Sequence, residues 1–129
     1  MAFGRRTSPE VAEQLAADEK LAATYQDRLA EVDAADGALR RAQADGATAA
    51  EQRTLAGDLE LKMRTAIGVA EAAERVAMGS KTYGVSRASE IARRKARAKA
   101  AVRPYSEELD RLRTAREAHK LSYRALSRA

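Results

Sequence analysis

The stretch Ala44-Asp45-Gly46-Ala47-Thr48-Ala49-Ala50-Glu51 decides the fold. Ala-Asp-Gly ends one helix, because glycine takes up the left-handed backbone that closes a helix C-terminus at no steric cost. Two residues later Thr48 and Glu51 stand three apart, the spacing of a capping box that opens another. A stop and a start this close leave room only for a tight reversal, so the sequence predicts an αα-hairpin.

Working back from that turn, Val11, Leu15, Ala22, Tyr25, Leu29, Val32 and Leu39 alternate by fours and threes, with Asp18 and Asp36 in the two remaining places. This is a coiled-coil-like seam, and if its two aspartates face a partner helix they set register at a cost in stability. Thr7-Ser8-Pro9-Glu10 has capping-box spacing, with Thr7 as the expected cap. The first arm is therefore expected to run for up to ~38 residues at 1.5 Å each, with Asp36-Gly37 as the place where it could break. Working forward, Leu55, Leu59, Met63, Ala66, Ile67, Ala70, Ala73 and Ala77 form a face that shrinks toward its end, with Gly57 and Gly68 inside the helix. Small residues allow close approach of axes, while each interior glycine costs about 1 kcal/mol relative to alanine.

Gly79-Ser80-Lys81-Thr82-Tyr83-Gly84 breaks the pattern, and Ser86 is placed to cap a third helix. The three-four alternation resumes at Ala88 and keeps its phase through Pro104 to Leu126. Proline removes a backbone donor and clashes with the preceding turn, so a kink or break is expected there. Arg97, Lys99 and Arg103 read as the cations of a helix C-terminus, and Glu107 and Glu108 as the first turn of the next helix. The resulting expectation is an all-α, Ala-rich bundle: an N-terminal arm over 1–7, a helical hairpin over 8–79, a loop over 80–85, and a basic helical region over 86–129.

Composition bounds what such a chain can be. Among 129 residues there are 31 alanines but only 27 large apolar residues, a thin core for long helices. Leu, Ile, Val and Phe fall below the roughly 20% at which isolated folding becomes marginal, so a homo-oligomer or a subunit of a larger assembly is expected. The chain has no cysteine, which excludes disulfides, thiolate nucleophiles and Cys-based metal sites. The basic opening Met1-Ala2-Phe3-Gly4-Arg5-Arg6 is not followed by an apolar signal-type segment, and no stretch approaches ~20 apolar residues. A protein of the cytoplasm, or of a particle assembled there, is expected, not a secreted or membrane one.

Residues suited to catalysis are scattered. Gly79-Ser80-Lys81-Thr82 looks like the end of a phosphate-binding loop, but Gly and Lys are not adjacent, the upstream glycine is missing and no strand precedes it. His119, the single histidine, has Glu117 two residues before it, not the three that would put both on one face as metal ligands. It falls in the apolar series and reads as a seam or rim histidine. Acid pairs such as Asp33 with Asp36 and Glu107 with Glu108 have no base or nucleophile beside them. No catalytic, metal or cofactor site is assigned, and a non-enzymatic protein is expected.

Charge is the informative feature. Residues 1–85 carry 11 basic and 14 acidic side chains, whereas residues 86–129 carry 13 and 5. Within the basic part, Arg93, Arg94, Lys95, Arg97, Lys99 and Arg103 form the densest run, with only Glu90 nearby to pair with Arg94. On one continuous helix Lys95, Lys99 and Arg103 would form a stripe, with Arg93 and Arg97 roughly opposite and Ala92, Ala96 and Ala100 between. These six residues are the candidate contacts. The favoured reading is an assembly or adaptor subunit whose basic helices dock on an acidic protein surface. The alternative is an oligomeric nucleic-acid-binding protein that contacts phosphates through residues 93–103 without reading bases. Tyr83 and Tyr105 only flank the run, a poor platform for stacking bases.

Overall fold

A computed structural model describes residues 8–128, and over these the chain is built from helices joined by short turns, without strands. Five helices follow one another: α1 over Pro9–Ala22, α2 over Tyr25–Ala44, α3 over Ala49–Met78, α4 over Arg87–Arg97 and α5 over Arg103–Arg128. A short 3-10 turn, Ser80–Thr82, stands between α3 and α4. The expected arm over 1–7, and Thr7 as a cap, lie outside the described residues. The cap of α1 is Ser8, whose hydroxyl accepts from the Val11 amide at 3.2 Å, with Pro9 in the first turn.

The hairpin turn forms as its sequence dictates. Gly46 takes φ 73°, the Ala47 amide bonds to the Ala42 carbonyl at 2.9 Å, and the Gly46 amide reaches the Gln43 carbonyl at 3.3 Å. Those two bonds satisfy carbonyls that the end of α2 would otherwise leave open. Thr48 Oγ1 then accepts from the Glu51 amide at 3.1 Å, and the Glu51 carboxylate accepts from the Thr48 amide at 3.3 Å, completing the capping box.

The first arm, by contrast, is two helices. It does not break at Asp36-Gly37, which lies inside α2, but at Ala23 and Thr24. There the Thr24 amide and hydroxyl both bond to the Leu21 carbonyl, at 2.9 and 2.8 Å, tightening the chain into a three-residue turn. A threonine side chain that competes for a nearby carbonyl offers the backbone an alternative to the helix. The break lets α1 leave the line of α2 and cross to another side of α3.

The 30-residue α3 is the centre of the molecule. Leu59 and Met63 on one side meet Val32 and Leu39 of α2 and Leu109 and Leu112 of α5 in the principal core. Ala72, roughly opposite Leu59 by helical spacing, is also fully buried, because α1 covers that side. Alanines do much of this work, with Ala56, Ala66, Ala70 and Ala72 all at 0% exposure. Glycine takes the principle further at position 57, where an added Cβ would stand 2.9 Å from the Tyr123 hydroxyl of α5.

The expected interruption near Pro104 is a full break that precedes it. α4 ends at Arg97, residues 98–102 form turns, and α5 starts at Arg103, so Pro104 occupies the first helical turn. In that position its missing amide costs nothing, whereas in a continuous helix its ring would meet the Ala100 carbonyl. Val102, fully buried, anchors the turn against Met78 and Ala96 in a second, small core. Glu107 and Glu108 consequently sit in the second turn of α5 and not the first.

Two glycine substitutions should behave differently for this reason. Gly68→Ala, with nothing within 4 Å of the new Cβ, should gain about 1 kcal/mol of stability from helix propensity. Gly57→Ala should gain less or lose, and should recover most of that benefit when made in a Tyr123→Phe background. Urea midpoints for wild type, the two glycine variants, Tyr123→Phe and the double variant check this, and equal gains at both glycines would refute the close approach of Tyr123.

Candidate docking surface

The element that carries the basic run is held to the bundle mainly by polar contacts. Asp18 of α1 is buried, and its carboxylate accepts from Arg75 of α3 twice, at 2.8 and 2.9 Å, and from the Tyr83 hydroxyl at 2.5 Å. Tyr83 belongs to the loop between α3 and α4, so one carboxylate ties three segments together. The Tyr83 carbonyl accepts from Ser89 Oγ at 3.0 Å, and Arg93 donates to the Thr82 and Gly84 carbonyls, each at 2.8 Å. Ser86 caps α4 by accepting from the Ser89 amide at 3.1 Å. The sequence placed Asp18 in a seam facing a partner helix; its partner is Arg75 of the same chain.

Charge perturbations follow this geometry. Hydrogen bonds from Arg75 hold the Asp18 carboxyl below its ordinary value of 3.8, against the opposing effect of burial and with help from the Tyr83 hydroxyl. Burial, reinforced by the Asp18 carboxylate, pushes the Tyr83 phenol up. The Asp18 hydrogen bonds likewise raise Arg75. Tyr105 rests against Tyr25, ring centroids 5.5 Å apart, so neither tyrosine flanking the basic run is free to stack on a base.

The six expected contact residues do not form one surface. Because α4 stops at Arg97, Lys95 lies on α4, Lys99 in the following turn and Arg103 at the start of α5, and the continuous stripe of these three is absent. Arg93 faces inward, committed to the loop carbonyls. Arg94, Lys95, Arg97, Lys99 and Arg103 are exposed, and among the described residues none of them makes an ion pair. The Glu90–Arg94 pair expected from spacing is not formed.

Much of the remaining basic charge is used internally. Arg113 pairs with Glu71 at 2.8 Å and Arg116 with Glu60 at 2.9 Å, fastening α5 to α3. Arg111 pairs with Glu108, and Lys120 with Glu117 at 3.2 Å, along α5 itself. Asp36, the second seam aspartate, pairs with Arg40 at 2.9 Å on its own helix. His119 is buried, with Nε2 2.8 Å from the Ala56 carbonyl, a seam position as expected. Among the described residues no three or more His, Asp and Glu side chains are grouped to hold a metal ion, and no helix is long and apolar enough to cross a membrane.

On α4 the buried residues are Ser89 and Ala96, with Ala92 and Arg93 half-buried beside them. The opposite side, by helical spacing, carries Arg87, Ile91 and Arg94, flanked by Lys95 on one edge and Glu90 on the other. Ile91 is 43% exposed there, and Val85 just before the helix is 98% exposed. Arg87, Ile91 and Val85 were not distinguished by the sequence, in which Ile91 belongs to the same apolar series as buried residues. The signal that singles out Ile91 is its three- and four-residue spacing from Arg94 and Lys95, with Arg87 four residues before it, readable only once the inward side of α4 is known. Comparisons of this chain with protein-family models, with curated proteins and with solved structures gave no match.

The Asp18 cluster carries a pH signature. A carboxyl whose folded value is depressed contributes stability above its unfolded value and loses it as pH falls through the folded one. Asp18→Asn should therefore cost about 1–2 kcal/mol at pH 7, with the gap to wild type closing below about pH 4. Thermal melts from pH 7 to pH 2.5 measure it, and a constant gap across that range would contradict the ionised cluster.

Proposed function

We propose that this protein is a non-enzymatic helical interaction protein, an assembly or adaptor subunit that docks through the outward side of α4 on an acidic protein surface. One observation carries the reading: an exposed isoleucine stands among exposed, unpaired cations on a short helix that uses little of itself to pack on its own bundle. Protein interfaces combine an apolar centre with a polar rim and favour arginine. Ile91 supplies such a centre, and Arg87, Arg94 and Lys95 the rim.

A phosphate backbone asks for something different. Affinity there comes from several cations that each neutralise a phosphate, and an exposed isoleucine adds nothing to it. The separation of Lys95, Lys99 and Arg103 onto three elements, with Arg93 turned inward, further weakens the case for a helix lying along a duplex. The protein-docking reading is also the one that the thin core favours, since a partner adds buried apolar surface.

A photo-crosslinking residue placed at Ile91, and in a separate protein at the exposed Leu121 of α5, tests this in cells producing the chain. The expected result is crosslinking to protein from position 91 that exceeds that from 121 and is lost with Arg94→Glu and Lys95→Glu. Crosslinks to nucleic acid alone would replace the reading with the phosphate-binding one. Equal protein crosslinking from both positions, unaffected by charge reversal, would remove α4 as a docking surface.

A further inference from the structure

α2 and α5 both pack on α3 and bury its core side, and a groove runs between them above that core. Near its middle and far end it holds a cavity of about 490 Å³ that reaches the edges of Leu59 and Met63 of α3 and of Val32, Leu39 and Leu112, core residues that are each 1–8% exposed. Toward the other end Gln26, Leu29 and Glu108 line two further cavities, of about 280 and 510 Å³, the second reaching Tyr25 and Tyr105. Shared lining residues set the three side by side in a channel along α2, whose 20 residues span about 30 Å. Its floor is apolar and its rim is charged. Asp33, Asp36 and Glu108 stand on the rim with Arg40 and Arg111, but the two arginines are engaged by Asp36 and Glu108, which leaves Asp33 without a partner among the described residues.

The same chain presents a ridge with the opposite properties. α4 has 11 residues, about 16 Å, roughly half the length of the channel. Its outward side joins Ile91 to Arg87, Arg94 and Lys95, an apolar side chain for the floor and cations for the acidic rim. α4 cannot reach the groove of its own molecule while Arg93, Ser89 and Ala96 hold its inward side at the loop and the end of α3.

We propose that the α2–α5 groove of one copy receives α4 of a second copy, completing a four-helix arrangement around its core. The inference rests on the reading of α4 as a docking surface and names the occupant of the contact as this chain itself. The two surfaces are different patches of one molecule, so the contact is head-to-tail: each copy gives α4 to one neighbour and its groove to another. Such contacts build rings or open filaments, not isolated two-fold dimers. Charge complementarity sets the direction, because the unpaired Asp33 of the groove attracts the α4 cations, whereas two α4 ridges repel one another.

The test uses the full chain and two charge-reversed variants, Arg94→Glu/Lys95→Glu on the ridge and Asp33→Lys/Asp36→Lys on the groove. All four positions lie on the surface, and helical circular dichroism verifies that the variants fold. Sedimentation velocity of the wild-type protein over a wide concentration range should show mass growing past the dimer. Each variant alone should associate at least about tenfold more weakly, and an equal mixture of the two should regain association, because the reversed charges now meet across the contact. Wild-type protein that stays monomeric, variants that assemble like wild type, or a mixture that fails to recover would each overturn the proposal. The first of these results alongside specific crosslinking of position 91 to another protein would leave the docking reading intact and end only the self-association.

Discussion

The central helix α3 touches its neighbours mostly through alanine, and the spacing of every other helix follows. A residue with a single methyl group fills little volume, so helices can bury it only by bringing their axes close. α3 does this on several sides at once, with α2 and α5 meeting Ala56, Ala66 and Ala70 and α1 covering Ala72. The large apolar residues are concentrated where α2, α3 and α5 converge. Twelve of them form that seam and two, Met78 and Val102, a minor cluster, and the rest of the assembly relies on close approach and polar fastening.

That fastening explains how α4 comes to be presented. A helix that buries little more than Ser89 and Ala96 gains little from the hydrophobic effect. Its position is set instead by hydrogen bonds that begin at Asp18, pass through Tyr83 and the loop carbonyls, and end at Ser89 and Arg93. A buried carboxylate is costly unless fully satisfied, and Arg75 with Tyr83 satisfies this one. The outward side of α4 is thereby left free of duties within the fold.

Charge segregation has two uses in the molecule. Along α5 the basic residues answer the glutamates of α3, so that Arg113 and Arg116 are structural. On α4 and the turn after it the cations have no such counterparts. The strongly basic character of residues 86–129 thus overstates the charge available to a partner, and the part that remains available gathers beside Ile91.

The sequence by itself determined the all-α class, the hairpin turn and the caps of α3 and α4, because these depend on residues within one helical turn of each other: Gly46 with Gln43, Thr48 with Glu51, Ser86 with Ser89. It also located the apolar seams and marked Pro104 as incompatible with an uninterrupted helix. Local reasoning misplaced the first-arm break, favouring Gly37 over Thr24, since whether a glycine is tolerated or a hydroxyl turns back on its own carbonyl depends on what packs around the helix. It made Asp18 a residue for a partner, since Arg75 lies 57 positions away. Most of all, the tertiary structure decided which cations are free. A sequence gives the charge of each side chain, but its availability depends on the distance to an opposite charge on another helix, and packing alone fixes that distance.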